Sequence, residues 1–444
     1  MTVAIPTFRE ALRVWLRIGL LSFGGPAAQI AMLHRAVVDE HRWISDRRFL
    51  HALNFCTLLP GPEAQQLATY LGWLMHGVRG GLAAGILFVL PGALVMLALS
   101  VIYATLGSVP TIAALFFGLK AAVLVLVVEA LLRVARRALK GRAAWALATL
   151  AFLALYVMGV PFPLVVLAAA LVGFLAPAAF AAGGHGTAGG GDTPTGLDAA
   201  LAADPGRPVR LAAAARRAGW TALVLWLLPV AALAAAGAGT YADIAWFFST
   251  MAVVTFGGAY AVLAYVAQEA VEIYRWLSAA EMLAGLGLAE TTPGPLILVL
   301  QFVGFLAGYR EGGIGGGLLG TAITLWVTFA PCFAFIFLGA PAVERLHGNR
   351  KLTGALAAVT AAVVGVIANL ALWFGLRVLF TEVREHRAGP FAIDLPALSS
   401  LDPLAAAIAV LAAACLFRLR LGVVRTLGIA TVAGLALHLA VGRL

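Results

Sequence analysis

A chain of 444 residues that is 62% hydrophobic and only 11% charged is not built for water, since soluble domains carry about 25% charged residues. Apolar runs of about 20 residues, the length that crosses a hydrocarbon core, recur along nearly all of it and leave no room for a sizeable soluble domain. The net charge of +10 sits in short Lys and Arg clusters between those runs, not on one face or stripe, which argues against nucleic acid as a partner and reads as a topology signal.

In chain order the apolar runs predict thirteen helical crossings, over residues 8–36, 47–77, 81–106, 110–133, 143–159, 161–180, 215–237, 242–270, 278–309, 313–339, 352–380, 402–417 and 423–442. The first run is too long for a signal-peptide core and is interrupted by Gly24-Gly25-Pro26, so it is expected to stay in the mature protein. Between the sixth and seventh crossings, Ala181 to Pro208 is rich in Gly, Ala, Thr and Pro and has no apolar periodicity; it reads as a flexible linker. The predicted organisation is an N-terminal half (1–180), a cytoplasmic linker (181–214), a linking helix (215–240) and a C-terminal half (241–444). Cys56, Cys332 and Cys415 fall inside apolar segments without metal-ligand spacing. They read as small buried residues, with no disulfide framework or zinc site.

The two halves are copies. Laying Ser22 to Pro62 over Thr255 to Pro295, at a constant offset of 233, superposes Phe23-Gly24-Gly25 on Phe256-Gly257-Gly258 and Arg42-Trp43 on Arg275-Trp276. It also superposes Ser45 on Ser278 and Pro60-Gly61-Pro62 on Pro293-Gly294-Pro295. After a Gly-rich insertion near Glu311 to Gly317 the offset becomes 240, pairing Pro91 with Pro331, Lys120 with Thr360 and Glu129 with Asn369. The run Trp220 to Ala236 has no counterpart before the first copy, and one extra crossing between two even-numbered halves inverts the second. The fold class expected is therefore an all-α polytopic membrane protein of about thirteen helices in two inverted homologous halves. With the N-terminus cytoplasmic and the C-terminus outside, Lys and Arg fall inside about twice as often as outside, as cytoplasmic loops require. Residues 35–48, with four Arg, are expected outside and strain that assignment.

Each Pro-Gly-Pro lies near the middle of a run long enough to cross, which implies a broken helix. Proline lacks the amide hydrogen and clashes with the preceding turn, and freed polar groups persist at membrane depth only beside a protein-enclosed or watery site. The helices resuming after Pro62 and Pro295 present uncapped amides and a positive dipole end, which attract anions. In inverted halves they approach the midplane from opposite sides. A packing kink is the competing reading of each break. The Phe-Gly-Gly pair, preceded by Ser22 and Thr255, serves either close helix packing or backbone approach to a ligand.

Ionisable residues at membrane depth are costly and usually functional. Lys120, about ten residues into its crossing, is the candidate ligand or counter-charge for an anion. Glu129 is four residues before Arg133 and reads as an i, i+4 pair. Glu63, just after the first break, and Glu290, three residues before the second, are candidates for proton coupling, with helix-dipole compensation the competing role of Glu63. Asn54, Thr57, Gln65, Gln66, Thr291, Thr292 and Gln301 supply neutral hydrogen bonds around the breaks. His34, His41, His51 and His76 match no ligand spacing and read as loop or helix-end residues.

Two copies of Phe-Gly-Gly, of Arg-Trp-(Ile/Leu)-Ser and of Pro-Gly-Pro, in a chain of this length and hydropathy, resemble the chromate ion transporter family in its long form with two fused halves. The resemblance covers most of residues 8–380. It implies export of chromate across the bacterial inner membrane, chromate resistance and antiparallel halves. The family motif falls on Phe23, Gly24, Gly25, Pro60, Gly61 and Pro62, and on Phe256, Gly257, Gly258, Pro293, Gly294 and Pro295. Nothing in the spacing identifies chromium, and sulfate is a tetrahedral dianion of similar size. A transporter or exchanger of sulfate or a related oxyanion stays open, as does an anion channel. A membrane-embedded enzyme is disfavoured, because no nucleophile, His and acid cluster or metal-ligand set lies near the breaks. No cofactor is expected; the expected partners are chromate, with sulfate a second oxyanion, and the lipid bilayer, and a homodimer is left open.

Overall fold

The computed structural model describes residues 5–107, 109–180, 195–204, 206–254, 259–340, 350–389 and 391–441. Helices in chain order are α1 (Phe8–Leu21), α2 (Gly25–His34, continued by a π-turn Arg35–Glu40), α3 (Asp46–Cys56), α4 (Glu63–Leu106), α5 (Pro110–Ala138), α6 (Arg142–Tyr156), α7 (Phe162–Leu175) and α8 (Pro177–Phe180). They continue as α9 (Gly196–Ala203), α10 (Arg207–Ala235), α11 (Thr240–Val254), α12 (Ala259–Gln268), α13 (Ala279–Thr291), α14 (Val299–Gly339), α15 (Arg350–Leu379), α16 (Pro403–Ala413) and α17 (Val423–Val441). Among the described residues five stretches are long and apolar enough to cross a membrane: Glu63–Leu106, Pro110–Ala138, Val209–Ala235, Leu296–Gly339 and Arg350–Leu379. The chain is a multi-pass, predominantly helical membrane protein. It divides into two compact units that each draw on both sequence halves: Met1–Ala98, Gly186–Gly258 and Thr292–Gly348 form the first, and Leu99–His185, Ala259–Thr291 and Asn349–Leu444 the second.

In the first unit α1 starts from a capping box, Thr7 Oγ1 accepting from the Glu10 amide at 3.3 Å while Glu10 Oε2 accepts from the Thr7 amide at 2.8 Å. It stops at Ser22, and α2 starts beyond Gly24, whose φ is +90°. Were the chain to run straight on, Trp15 and Trp43 would stand more than about 30 Å apart at 1.5 Å per helical residue. Their rings are 6.3 Å apart. The segment therefore turns back at Ser22–Gly24 and returns beside α1.

The next segment behaves alike: α3 begins beside α2, with Asp46 Oδ1 2.7 Å from His34 Nε2, and Phe55 near its end lies 5.5 Å from Tyr70 of α4. It turns at Pro60–Pro62 and returns to His76, whose Nε2 is 2.8 Å from the Pro6 carbonyl where the chain set out. Residues 8–36 and 47–77 were expected as crossings. Each instead turns back on itself as a helical hairpin, because a proline or glycine break fixes where the helix ends and tertiary contacts decide which way it resumes.

The helical assignment of α4 runs through His76 (φ −129°) and Gly77 (φ +64°), but the chain reverses there. Gly72 and Gly80 approach so closely that a Cβ on Gly80 would sit 2.3 Å from the Gly72 carbonyl. α14 repeats this at Gly312 (φ −149°) and Gly313 (φ +58°), with Gly308 against Gly316. The two turns fall where the sequence separates 47–77 from 81–106 and 278–309 from 313–339. They lie at opposite ends of α10. Arg207 Nη2 donates to the Met75 carbonyl and Leu211 touches Gly77 at one end; at the other, Thr240, just past α10, donates its hydroxyl to Glu311.

Residues 35–48, expected on the side opposite the linker, are tied to it. The amides of Gly196 and Leu197 donate to the carbonyls of Arg42 (3.4 Å) and Trp43 (3.1 Å), and Leu197 is buried. The hairpin path accounts for this correction, since it brings 35–48 back to the end from which α1 departs.

In the second unit α5 packs with α13, α15, α16 and α17, and α15 also packs with α6, α7 and α12. One departure from all-helical structure is an antiparallel hairpin of β1 (Val383–Ala388) and β2 (Phe391–Pro396). It is anchored by Arg377, which bonds Asp394 at 3.1 Å and covers the Trp373 ring at 4.1 Å, and by the Tyr156 hydroxyl donating to the Asp394 carbonyl at 2.7 Å.

Candidate functional site

The first Pro-Gly-Pro turns on Gly61, whose φ of +113° suits glycine. Gln66, one turn into α4, folds back so that Nε2 donates to the Pro60 carbonyl at 2.6 Å, occupying an acceptor that the break sets free. Cys332 of α14 lies against Gly61. Glu63 is half-buried in the first turn of α4, where its carboxylate faces the positive helix end. Gln65 donates to Thr69 Oγ1 at 3.2 Å. Asn54 and Thr57 are exposed, the Thr57 hydroxyl donating to the Asn54 carbonyl at 2.9 Å.

The second Pro-Gly-Pro is fully buried and turns on Gly294, φ +92°. The Gly294 amide donates to the Ser22 carbonyl at 2.8 Å, so the first Phe-Gly-Gly break and the second Pro-Gly-Pro break meet. Gln29 of α2 seals the junction, with Nε2 donating to the Gly294 carbonyl at 2.6 Å and to the Ser22 carbonyl at 3.4 Å. Gly92 of α4 lies so close that a Cβ there would fall 2.0 Å from the Pro293 carbonyl. Gln301 of α14 donates to the Ala93 carbonyl at 2.9 Å, and Thr292 is buried.

Three glutamine side chains, Gln29, Gln66 and Gln301, therefore spend their amide hydrogens on main-chain carbonyls. Their Oε1 atoms, with Gln65 Oε1 and Ser22 Oγ, are buried without a partner. Buried polar atoms are nearly always paired with protein, water or ligand, and lipid offers nothing, so these mark a polar locus at the breaks. A groove of about 300 Å³ on the same unit, lined by Pro229, Val230, Leu233, Ala245, Trp326 and Val327, is apolar and offers an anion nothing. Gln29 was missed by sequence reasoning. Its signal was a lone amide inside an apolar run, seven residues past a break.

Thr255, Phe256, Gly257 and Gly258 lie outside the described residues. Lys120 and Glu290 belong to the second unit, not to the unit that holds both breaks. Lys120 is half-buried on α5, with Glu281 of α13 acting on it electrostatically. Glu290 is buried near the end of α13 and accepts a hydrogen bond from the Tyr260 hydroxyl of α12. The expected i, i+4 pair forms on α5, Arg133 Nε donating to Glu129 Oε1 at 3.0 Å. Among the described residues no group of three or more His, Cys, Asp and Glu is placed to hold a metal.

A family profile described as chromate transporter matches this chain twice, over residues 9–174 and 242–436. The chromate transport protein of Pseudomonas aeruginosa is 36% identical over 373 residues, covering 82% of this chain and 81% of that protein. The chain belongs to the chromate transporter family. A probable chromate transport protein of Synechococcus elongatus is 26% identical over 89% of this chain and 90% of its own length. The chromate transport protein of Cupriavidus metallidurans is 28% identical over 81% of each. No solved structure matches. In this chromate transporter family member the two matched segments take in both Phe-Gly-Gly and both Pro-Gly-Pro motifs, together with Gln29, Lys120 and Glu290, and leave out the linker and α10.

Proposed function

We propose that this protein carries chromate out of the bacterial cytoplasm across the inner membrane and so confers chromate resistance, by alternating access between two inverted halves and without catalysing a reaction. The single observation that carries the reading is the junction of two helix breaks, the Gly294 amide on the Ser22 carbonyl with Gln29 bonded to both, in a chain of this family. The oxyanion rests against the freed helix ends and their neighbours: Ser22, Phe23, Gly24, Gly25, Asn54, Pro60, Gly61, Pro62 and Gln66 in the first copy, and Thr255–Gly258 and Thr292–Pro295 in the second. Lys120 supplies positive charge, and Glu63 and Glu290 are the candidates for proton coupling. Chromate is the substrate, and sulfate competes as the similar dianion.

The topology that goes with this reading makes residues 8–36 and 47–77 re-entrant hairpins at the cytoplasmic face, with the N-terminus inside and the C-terminus outside. Support comes from the turns at opposite ends of α10. The same path moves Arg35, Arg42, Arg47 and Arg48 to the cytoplasmic side, which relieves the strain in the charge pattern. Export is favoured energetically. A dianion leaving a negative-inside cell gains about 4.6 kcal/mol per 100 mV, enough to hold a gradient of about a thousandfold.

The test is chromate accumulation in cells with and without the chain, repeated at several sulfate concentrations. Lower accumulation with the chain, eroded by rising sulfate, is expected. Equal accumulation in both cells rejects the reading, and higher accumulation reverses its direction.

A further inference from the structure

Glu290 is 8% exposed and comes from α13. The hydroxyl of Tyr260 on α12 donates to its Oε1. The Arg133–Glu129 pair sits on α5, which packs on α13, within electrostatic reach of Glu290. Charge thus reaches Glu290 from one helix, α5, and a hydroxyl from another, α12. Among the described residues, no charged group of α15 or α17, which also pack on α13, is among those acting on it. The cluster holds two carboxylates and one guanidinium. That leaves one acidic group without a counter-charge at membrane depth, where an unpaired charge is costly, and a proton is the smallest species that supplies the balance.

The two carboxylates are not equivalent. Glu129 is 25% exposed near the end of α5 and its partner Arg133 is 34% exposed, so Glu129 can remain ionised against water if Arg133 leaves it. Glu290 cannot. We propose that Glu290 is a proton-binding site operated by Arg133: while Arg133 pairs with Glu129, Glu290 holds the proton and Tyr260 fixes its carboxyl group. When the guanidinium swings from Glu129 to Glu290, the proton leaves the Glu290 oxygen for water on the side then open. The proposal rests on the transport reading for its purpose and deepens the coupling role given to Glu290. Glu63 belongs to the first unit and takes no part in this exchange.

The test uses the full chain in proteoliposomes, with chromate movement measured against pH at a fixed membrane potential. Glu290→Gln should remove both the pH dependence of chromate movement, whatever rate remains, and the accompanying proton flux. Tyr260→Phe removes a donor that favours the carboxylate, so the proton is held to higher pH and the midpoint should rise. Glu129→Gln frees Arg133 for Glu290, so the proton is lost earlier and the midpoint should fall. Each shift should be about one pH unit, tenfold in proton concentration. A general packing defect would not move the two in opposite directions. An unchanged pH profile in Glu290→Gln, or shifts of the same sign in Tyr260→Phe and Glu129→Gln, overturns the proposal. Infrared titration of the purified protein without chromate gives a second readout: a carboxylic acid band present in the unaltered chain must vanish in Glu290→Gln, and its persistence overturns the assignment. Should the unaltered chain move no chromate at any potential, the transport reading fails, while the infrared band still decides the proton site.

Discussion

Gly61 and Gly294 hold φ of +113° and +92° at matched positions of the two copies, each between two prolines and each followed by a resuming helix. Their surroundings diverge. Around Gly61 stand Glu63, Gln65 and Gln66, with both prolines partly exposed, whereas Gly294 is followed by Leu296, Ile297 and Leu298 and is wholly buried. The freed carbonyl at the first break is served from within its own helix by Gln66, and that at the second from across the unit by Gln29. Duplication preserved the backbone break, and the side chains that stabilise it were assigned separately. The first break lies among polar, partly exposed neighbours and the second among buried apolar ones.

The severest way to break that comparison is Gly92→Val. Its side chain would collide with the Pro293 carbonyl, and we expect a loss of more than about 3 kcal/mol and no transport. Cys332→Val, at the matched position beside Gly61, should cost less than about 1.5 kcal/mol because a side chain is already accommodated there. Thermal unfolding of the purified proteins compares the two directly. Next in size, Gly61→Ala and Gly294→Ala each force a residue with a Cβ into positive φ and should each cost about 1–2 kcal/mol. A clear difference between them would mean that the two breaks do not share backbone strain. Gln29→Leu strips the donor from two carbonyls and Gln66→Leu from one. Losses within about 1–3 kcal/mol, larger for Gln29→Leu, are expected in the same melting experiment. Smallest of all, Arg384→Ala removes an exposed ion pair to Glu382 on the hairpin and should leave the melting curve within error of the unaltered chain.

The duplication, the two proline breaks, the positions of the reversals near Gly77 and Gly313 and the Glu129–Arg133 pair were all legible in the residues, because each is a local signal. The return of the chain at Ser22–Gly24 was not. A break says that a helix ends, and the contact of Trp15 with Trp43, 28 residues apart, says where it goes. The thirteen-crossing expectation failed for residues 8–36 and 47–77 for that reason. The hairpin falls between two expected crossings, where Val383 to Pro396 carries a Gly-Pro between two stretches of mixed charged and apolar residues, a weak strand signal. Among the site residues, Glu290 stood out as a charge in an apolar run. Its partner Tyr260 did not, since a tyrosine in such a run carries no mark of the bond it makes.

The limb of α4 from Glu63 to Met75 has 13 residues and is about 20 Å long, well short of a bilayer's hydrocarbon thickness. Such a piece cannot settle in lipid by itself during synthesis. It must wait for the long apolar stretch beyond Gly77 to enter and then fold down against it through Gly72 and Gly80. The glycine contact that shapes the finished protein thereby also sets the order of its assembly, with the long apolar stretch inserted first and the short limb packed against it afterwards.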